Sequence, residues 1–114
     1  MAPSRDDSPL HDPVPLASLV ELQEGGVVSR TLLKNASGSL TLFAFGAGEG
    51  LSEHSTPHEA TAQILAGVAT IRIADDEHTV RAGEILHLPA GVPHALHAPE
   101  DFVMLLTMLR TPRG

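Results

Sequence analysis

The chain has 114 residues, which is enough for one domain with its own core but too few for two domains. Its net charge of −7, with only seven Lys and Arg residues, argues against a nucleic-acid partner, because phosphate binding needs clustered basic side chains. The absence of cysteine excludes disulfides, thiolate metal ligands and cysteine nucleophiles.

The first 15 residues contain four prolines, and we predict that they form an extended N-terminal arm ahead of a barrel domain over residues 16–114. Early aspartates in this arm leave no room for the hydrophobic region of a signal peptide. No apolar run anywhere in the chain reaches about 18 residues. We therefore expect a cytoplasmic protein that has no membrane partner.

Short segments rich in β-branched residues follow the arm, separated by Gly, Asn or Asp, and they are predicted to be strands. In chain order the predicted strands cover residues 27–33, 40–45, 61–65, 68–73, 79–81, 85–88, 95–97 and 102–109. No window sustains helical periodicity for three turns, although residues 16–23 are compatible with one or two turns. Many short, closely spaced strands predict an all-β, single-domain antiparallel barrel or jelly roll.

Two passages combine glycines with histidines at fixed spacing. The first is residues 48–67, where Gly48 precedes His54 by five intervening residues and Gly67 closes the passage. Glycine adopts the positive φ that a tight corner between strands requires. The pattern therefore predicts backbone corners at these glycines.

The second passage is residues 83–98, in which Gly83 is followed by five residues, then by Pro89, Gly91 and, after two more residues, His94. This spacing resembles the second motif of the cupin family, G-x5-P-x-G-x2-H-x3-N, and the first passage is similar to the first motif, G-x5-H-x-H-x3-4-E-x6-G. The resemblance covers about 70 residues, nearly all of the globular part. It implies a double-stranded β-helix (jelly-roll) cupin barrel of the small, single-domain type.

The sequence departs from the family's motifs at three positions. Thr56 stands at the second histidine of the first motif, Ala60 at its glutamate, and Ala98 at the asparagine of the second motif. In typical cupins three histidines and a glutamate bind one divalent metal, so the resemblance carries over only His54 and His94 as ligands. Two imidazoles alone rarely hold Fe, Mn, Ni, Zn or Cu firmly, because these ions prefer three or more protein ligands.

His58 is the candidate for a third metal ligand. Side chains alternate along a strand, so His54 and His58 would share a face, but their Cα atoms would lie about 13 Å apart in a straight strand. Pro57 cannot donate to a ladder and favours a bulge or an edge position. We therefore predict a bulge at Thr56–Pro57 that brings His58 to a metal shared with His54 and His94.

Gln63 and Glu59 are weaker candidates for a further ligand, through an amide oxygen and a carboxylate respectively. Alternation relative to Ala60 points both side chains away from the site unless a bulge shifts the register. Water would otherwise complete the coordination sphere and leave positions open for oxygen or a chelating substrate.

Two functions are compatible with these features. The first is a metal-dependent enzyme of the dioxygenase type acting on a small organic molecule, with isomerase or lyase chemistry as other options. The alternative is a non-catalytic module with a degenerate metal site that binds or senses a small apolar or carboxylate ligand. Cupins of this size are commonly dimers packed sheet to sheet, so the resemblance also implies a homodimer.

Overall fold

A computed structural model describes residues 9–111 of the chain, so the first eight residues of the predicted N-terminal arm lie outside the described part. Eight strands make up most of the fold: β1 (Val27–Asn35), β2 (Gly38–Phe45), β3 (Gly50–His54), β4 (Glu59–Ile73), β5 (Asp76–Arg81), β6 (Ile85–Leu88), β7 (His94–His97) and β8 (Phe102–Leu109). Two short 3-10 turns, Pro9–His11 and Leu16–Leu19, precede β1. None of the helices in the described chain has the length and apolar character needed to cross a membrane.

The strands form one antiparallel sheet that curls so that its two halves face each other. One half has the strand order β1-β2-β8-β4-β6, and the other has the order β5-β4-β7-β3. Strand β4 belongs to both halves, because residues 59–67 pair with β6 and β8 whereas residues 68–73 pair with β5 and β7. This topology confirms the predicted all-β antiparallel barrel of the jelly-roll type.

Strand β4 corrects one prediction made from the sequence. Instead of separate strands over residues 61–65 and 68–73, the structure has one strand of 15 residues. It bends at Gly67, where φ is +78° and a Cβ atom would collide with the carbonyl oxygen of Asp101 and lie 2.9 Å from the Cα of Phe102. Gly67 is therefore a bend within a continuous strand, at the last pair of the β4–β8 ladder, where only glycine lets β8 approach this closely.

The inner faces of the two halves pack into one hydrophobic core. Along the first part of β4, Ala60, Ala62 and Ile64 are buried, as expected for alternating inward-facing positions. The other buried members of the core are Phe45, Ala69, Ile71, Val80, Leu88, Leu96, Ala98, Phe102 and Met104. The rings of Phe45 and Phe102 stack with centroids 4.5 Å apart and join β2 to β8 across the end of their shared ladder.

Candidate functional site

The structure brings His54 and His94 together at the end of the β3–β7 ladder. His54 pairs with His94, and Leu51 pairs with Leu96. Between these pairs, two residues of β3 oppose one residue of β7, which is a β-bulge at residues 52–53. The bulge lets Leu51 and His54 both face the inside of the barrel, although they are three residues apart. Strand β3 itself was not among the strands predicted from the sequence.

The two imidazole rings lie edge to face, with centroids 4.4 Å apart and an interplanar angle of 64°. Each ring uses Nδ1 to contact the backbone carbonyl two residues earlier in the chain: His54 contacts Ser52 at 2.8 Å, and His94 contacts Val92 at 3.3 Å. A carbonyl oxygen only accepts hydrogen bonds, so Nδ1 carries the proton in both rings. Nε2 then keeps its lone pair, which is the state of a histidine ready to bind a metal.

The surroundings of His94 favour its neutral form. Its side chain is only 5% exposed, whereas His54 is exposed to solvent. Burial lowers the pKa of His94 below its usual range, and repulsion from His54 adds to this effect, while the hydrogen bond to the Val92 carbonyl opposes it. A histidine must be neutral to bind a metal, so the low pKa keeps His94 available as a ligand near neutral pH.

His58 does not join the two rings. The chain leaves β3 after His54 and re-enters the sheet at Glu59, so residues 55–58 form a loop between strands, and the bulge lies upstream at residues 52–53 instead of at Thr56–Pro57. Within that loop, Nδ1 of His58 accepts the backbone N–H of Thr111 at 3.1 Å, and the Thr111 hydroxyl donates to the Pro57 carbonyl. These contacts hold His58 against the segment that follows β8. A ligand role for His58 stays a prediction.

Gln63 and Glu59 also lie away from the histidine pair. Gln63 alternates with the buried residues Ala62 and Ile64, which places it on the outer face of the sheet. The Glu59 carboxylate accepts hydrogen bonds from His87 and from the Ala90 backbone N–H. Both lower the pKa of Glu59, and the bond from His87 has the larger effect. Their ligand roles likewise stay predictions.

The donor set of the histidine pair consists of two imidazole nitrogens. Among residues 9–111, no three His, Cys, Asp or Glu side chains gather in a group that would hold an ion. Two imidazoles bound to one ion at about 2.1 Å have centroids about 4.5–5.5 Å apart, from right-angle to tetrahedral geometry, and the His54 and His94 centroids are 4.4 Å apart. Imidazole nitrogen suits Zn, Cu, Ni and Fe, whereas Mn prefers the carboxylate oxygens that the pair lacks. Water or a chelating ligand would supply the remaining donors.

Two apolar side chains adjoin the histidine pair. Five partly buried hydrophobic residues pack against the core, and two of them adjoin the site directly: Ile73 pairs with His94, and Leu51 precedes the bulge. The nearby ion pair between Arg72 and Glu53, at 2.9 Å, lies on exposed side chains. The site therefore combines two nitrogen donors with an apolar rim, an arrangement that suits a small ligand with few polar groups.

Comparison with known proteins agrees with this architecture. A family model described as a cupin domain matches residues 41–109. Among solved structures, the chain is similar to a cupin superfamily protein from Desulfitobacterium hafniense, with 32% identity over 95% of this chain and 100% of that one and a TM-score of 0.86. It is also similar to a conserved protein of unknown function from Streptococcus pyogenes, with 33% identity over 90% of each chain and a TM-score of 0.85.

A third similar structure is a cupin 2 conserved barrel domain protein from Leptotrichia buccalis, with 35% identity and a TM-score of 0.80. The match covers 82% of this chain and 46% of that chain, so this chain spans less than half of that protein. Comparison with curated proteins gives no significant match.

Proposed function

This chain belongs to the cupin family, and we propose that it binds a divalent transition metal through Nε2 of His54 and His94 and presents that metal to a small organic ligand at the mouth of the barrel. The observation that supports this proposal most directly is the shared hydrogen-bonding pattern of the two rings. Both direct Nδ1 to a backbone carbonyl, which leaves two Nε2 lone pairs on adjacent rings.

The small number of protein donors favours a ligand that itself chelates the ion. A metal held by two imidazoles keeps several coordination positions for other molecules, and when bound it would act as a Lewis acid toward the ligand's oxygen or nitrogen atoms. The protein's own contribution is to hold the two nitrogens in place and to surround the ligand with apolar side chains. Binding is therefore the function that we propose first.

Catalysis of the dioxygenase type is the second candidate, and the exposure of His54 supports it. An ion at this pair would face solvent on the His54 side, where oxygen or substrate can enter. The acidic side chains nearest in sequence are already paired, Glu53 with Arg72 and Glu59 with His87, which leaves neither placed as a free general base. This pairing is why binding ranks above catalysis.

Metal binding by defined variants tests the proposal. Chelator-treated protein without a histidine tag is titrated calorimetrically with Cu(II), Ni(II), Zn(II) and, under anaerobic conditions, Fe(II). We expect one equivalent to bind, with a loss of affinity of 100-fold or more in His54→Ala and in His94→Ala, roughly the effect of removing one of two ligands. His97→Ala is the matched control, because His97 is on the same strand as His94 but is exposed.

Three results would change these assignments. Equal affinity in the wild type and in both ligand variants would refute the site. A loss of affinity in His58→Ala would assign His58 as a third ligand. Oxygen consumption by the metal-loaded protein with a panel of small chelating acids and ketones would establish the enzyme, whereas tight ligand binding without turnover would establish the binding module.

A further inference from the structure

We propose that Glu59 is a positioning residue for His94: its carboxylate holds the loop of residues 89–93, and that loop supplies the carbonyl group that orients the His94 ring. The consequence for metal affinity rests on the function proposed above, whereas the positioning itself does not. The direct ligand role predicted for Glu59 from the sequence stays a separate prediction.

One oxygen of Glu59 joins three segments of the fold. Glu59 is the first residue of β4, and its Oε1 atom accepts Nε2–H of His87, near the end of β6, at 2.7 Å. The same atom accepts the backbone N–H of Ala90, in the loop that leads to β7, at 3.0 Å. The carboxylate therefore fixes the loop at its second residue relative to two strands.

The loop passes this constraint on to His94 through its backbone. Two residues beyond Ala90, the carbonyl of Val92 contacts Nδ1 of His94. The loop between these points makes a tight turn, in which Val92 N–H donates to the Pro89 carbonyl at 3.2 Å. Displacement of Ala90 would thus move the Val92 carbonyl. This carbonyl determines which ring nitrogen of His94 carries the proton and how the ring is oriented.

The same loop is also tied to the segment that follows His54. The Gly91 N–H donates to the carbonyl of Thr56 at 2.7 Å, and the chain reaches Glu59 three residues after Thr56. The two segments that flank the histidine pair are therefore joined by a backbone hydrogen bond and, close by, by the Glu59 carboxylate. No sequence signal reveals this arrangement, since every residue carries a backbone carbonyl and the residue type does not show which carbonyl accepts a hydrogen bond.

The contact with His87 alone would be unremarkable. The two side chains are 51% and 60% exposed, and an exposed ion pair contributes little to stability. What distinguishes Glu59 is that the oxygen which accepts from His87 also accepts from the loop backbone. We therefore expect that loss of the Glu59 carboxylate changes the geometry of His94 and has little effect on the free energy of unfolding.

Three variants separate this role from a general structural one. Glu59→Ala removes both contacts, whereas Glu59→Gln keeps an oxygen that accepts from Ala90. Glu84→Ala is the matched control, because the Glu84 carboxylate also accepts a backbone N–H, from Arg81 at 2.7 Å, at an exposed turn. A loss of metal affinity that is specific to Glu59→Ala and is rescued by Glu59→Gln would support the positioning of His94 by Glu59.

Two measurements are made on the full-length protein. In metal-free protein, NMR follows the imidazole nitrogens of His94 and the hydrogen exchange of the Gly91 amide; we expect both to change in Glu59→Ala and to stay unchanged in Glu84→Ala. With Cu(II) as the probe, we expect the affinity of Glu59→Ala to fall about tenfold and its EPR parameters to shift, as when an outer partner of a metal ligand is removed.

Several outcomes would overturn the proposal. Unchanged His94 resonances in a folded Glu59→Ala protein would do so, as would equal losses in Glu59→Gln and Glu59→Ala. If Glu59→Ala does not fold, Glu59→Asp decides, since its carboxylate is one methylene shorter, is withdrawn from the Ala90 N–H, and must also shift the His94 resonances. If the wild-type protein binds no Cu(II), the proposed function fails, and the metal-free NMR measurement still tests the positioning role by itself.

Discussion

Replacing Gly67 with alanine tests whether the bend in β4 depends on the close approach of β8. Gly67 has a φ of +78°, and a residue with a Cβ atom loses about 1–2 kcal/mol in this left-handed conformation. The added methyl group would also collide with the Asp101 carbonyl. Strand β8 must then move and lose ladder hydrogen bonds, each with a net value of about 1 kcal/mol. With two such bonds lost, we expect a total destabilisation of about 3–4 kcal/mol.

Gly83→Ala provides the matched control for this prediction. Gly83 has a φ of +90°, and no atom lies within 4 Å of the position that its Cβ would occupy. It therefore carries the conformational cost without the collision, and we expect a loss of about 1–2 kcal/mol. Alanine also restricts the unfolded chain by a similar amount at both positions, which cancels in the comparison. The difference of about 2 kcal/mol measures the contact with β8.

Urea unfolding followed by circular dichroism measures this difference. With m between about 1 and 3 kcal/mol per M, a difference of 2 kcal/mol separates the two midpoints by about 1 M. Equal midpoints for Gly67→Ala and Gly83→Ala would refute the reasoning, since they would show that β8 yields to the added methyl group at no cost.

Three further predictions follow from the structure. In metal-free protein the free energy of unfolding should decrease as the pH falls below about 6.5, because the lowered pKa of His94 makes the unfolded chain bind a proton first; His94→Gln should remove this dependence. We propose a homodimer through the outer sheet face, where Ile85 and Leu109 are 61% and 60% exposed, so sedimentation showing only a 12.0 kDa species would contradict it. Phe102→Ala should cost about 3–5 kcal/mol in thermal unfolding, because its ring stacks on Phe45 in the core; a change below 1 kcal/mol would argue against this packing.

Much of the fold was accessible from local sequence patterns. The predicted strands at residues 85–88 and 102–109 coincide with β6 and β8, and the glycines with fixed spacing do have positive φ. Errors arose where a local signal had two structural meanings. Gly67 was interpreted as a corner between two separate strands, because glycine tolerates the positive φ of such a corner, yet here it permits a bend within one strand.

The candidate site was predicted only in part. His54 and His94 were identified from their spacing to glycine and proline, and the structure places them side by side. His58 was assigned from the presence of Pro57, but the hydrogen bond from Thr111 directs its ring toward the C-terminal segment. That contact joins residues 53 positions apart, and no local pattern contains it.

The sequence by itself indicated the class of barrel and the two histidines that the structure places side by side, because glycine conformations and side-chain alternation are local properties of the chain. Only the tertiary structure decided which side chains meet. The register of β3 against β7, with its bulge at residues 52–53, depends on hydrogen bonds between segments about 40 residues apart. A shift of one residue in that pairing would turn His54 away from His94, and neither strand's own sequence specifies the partner residue.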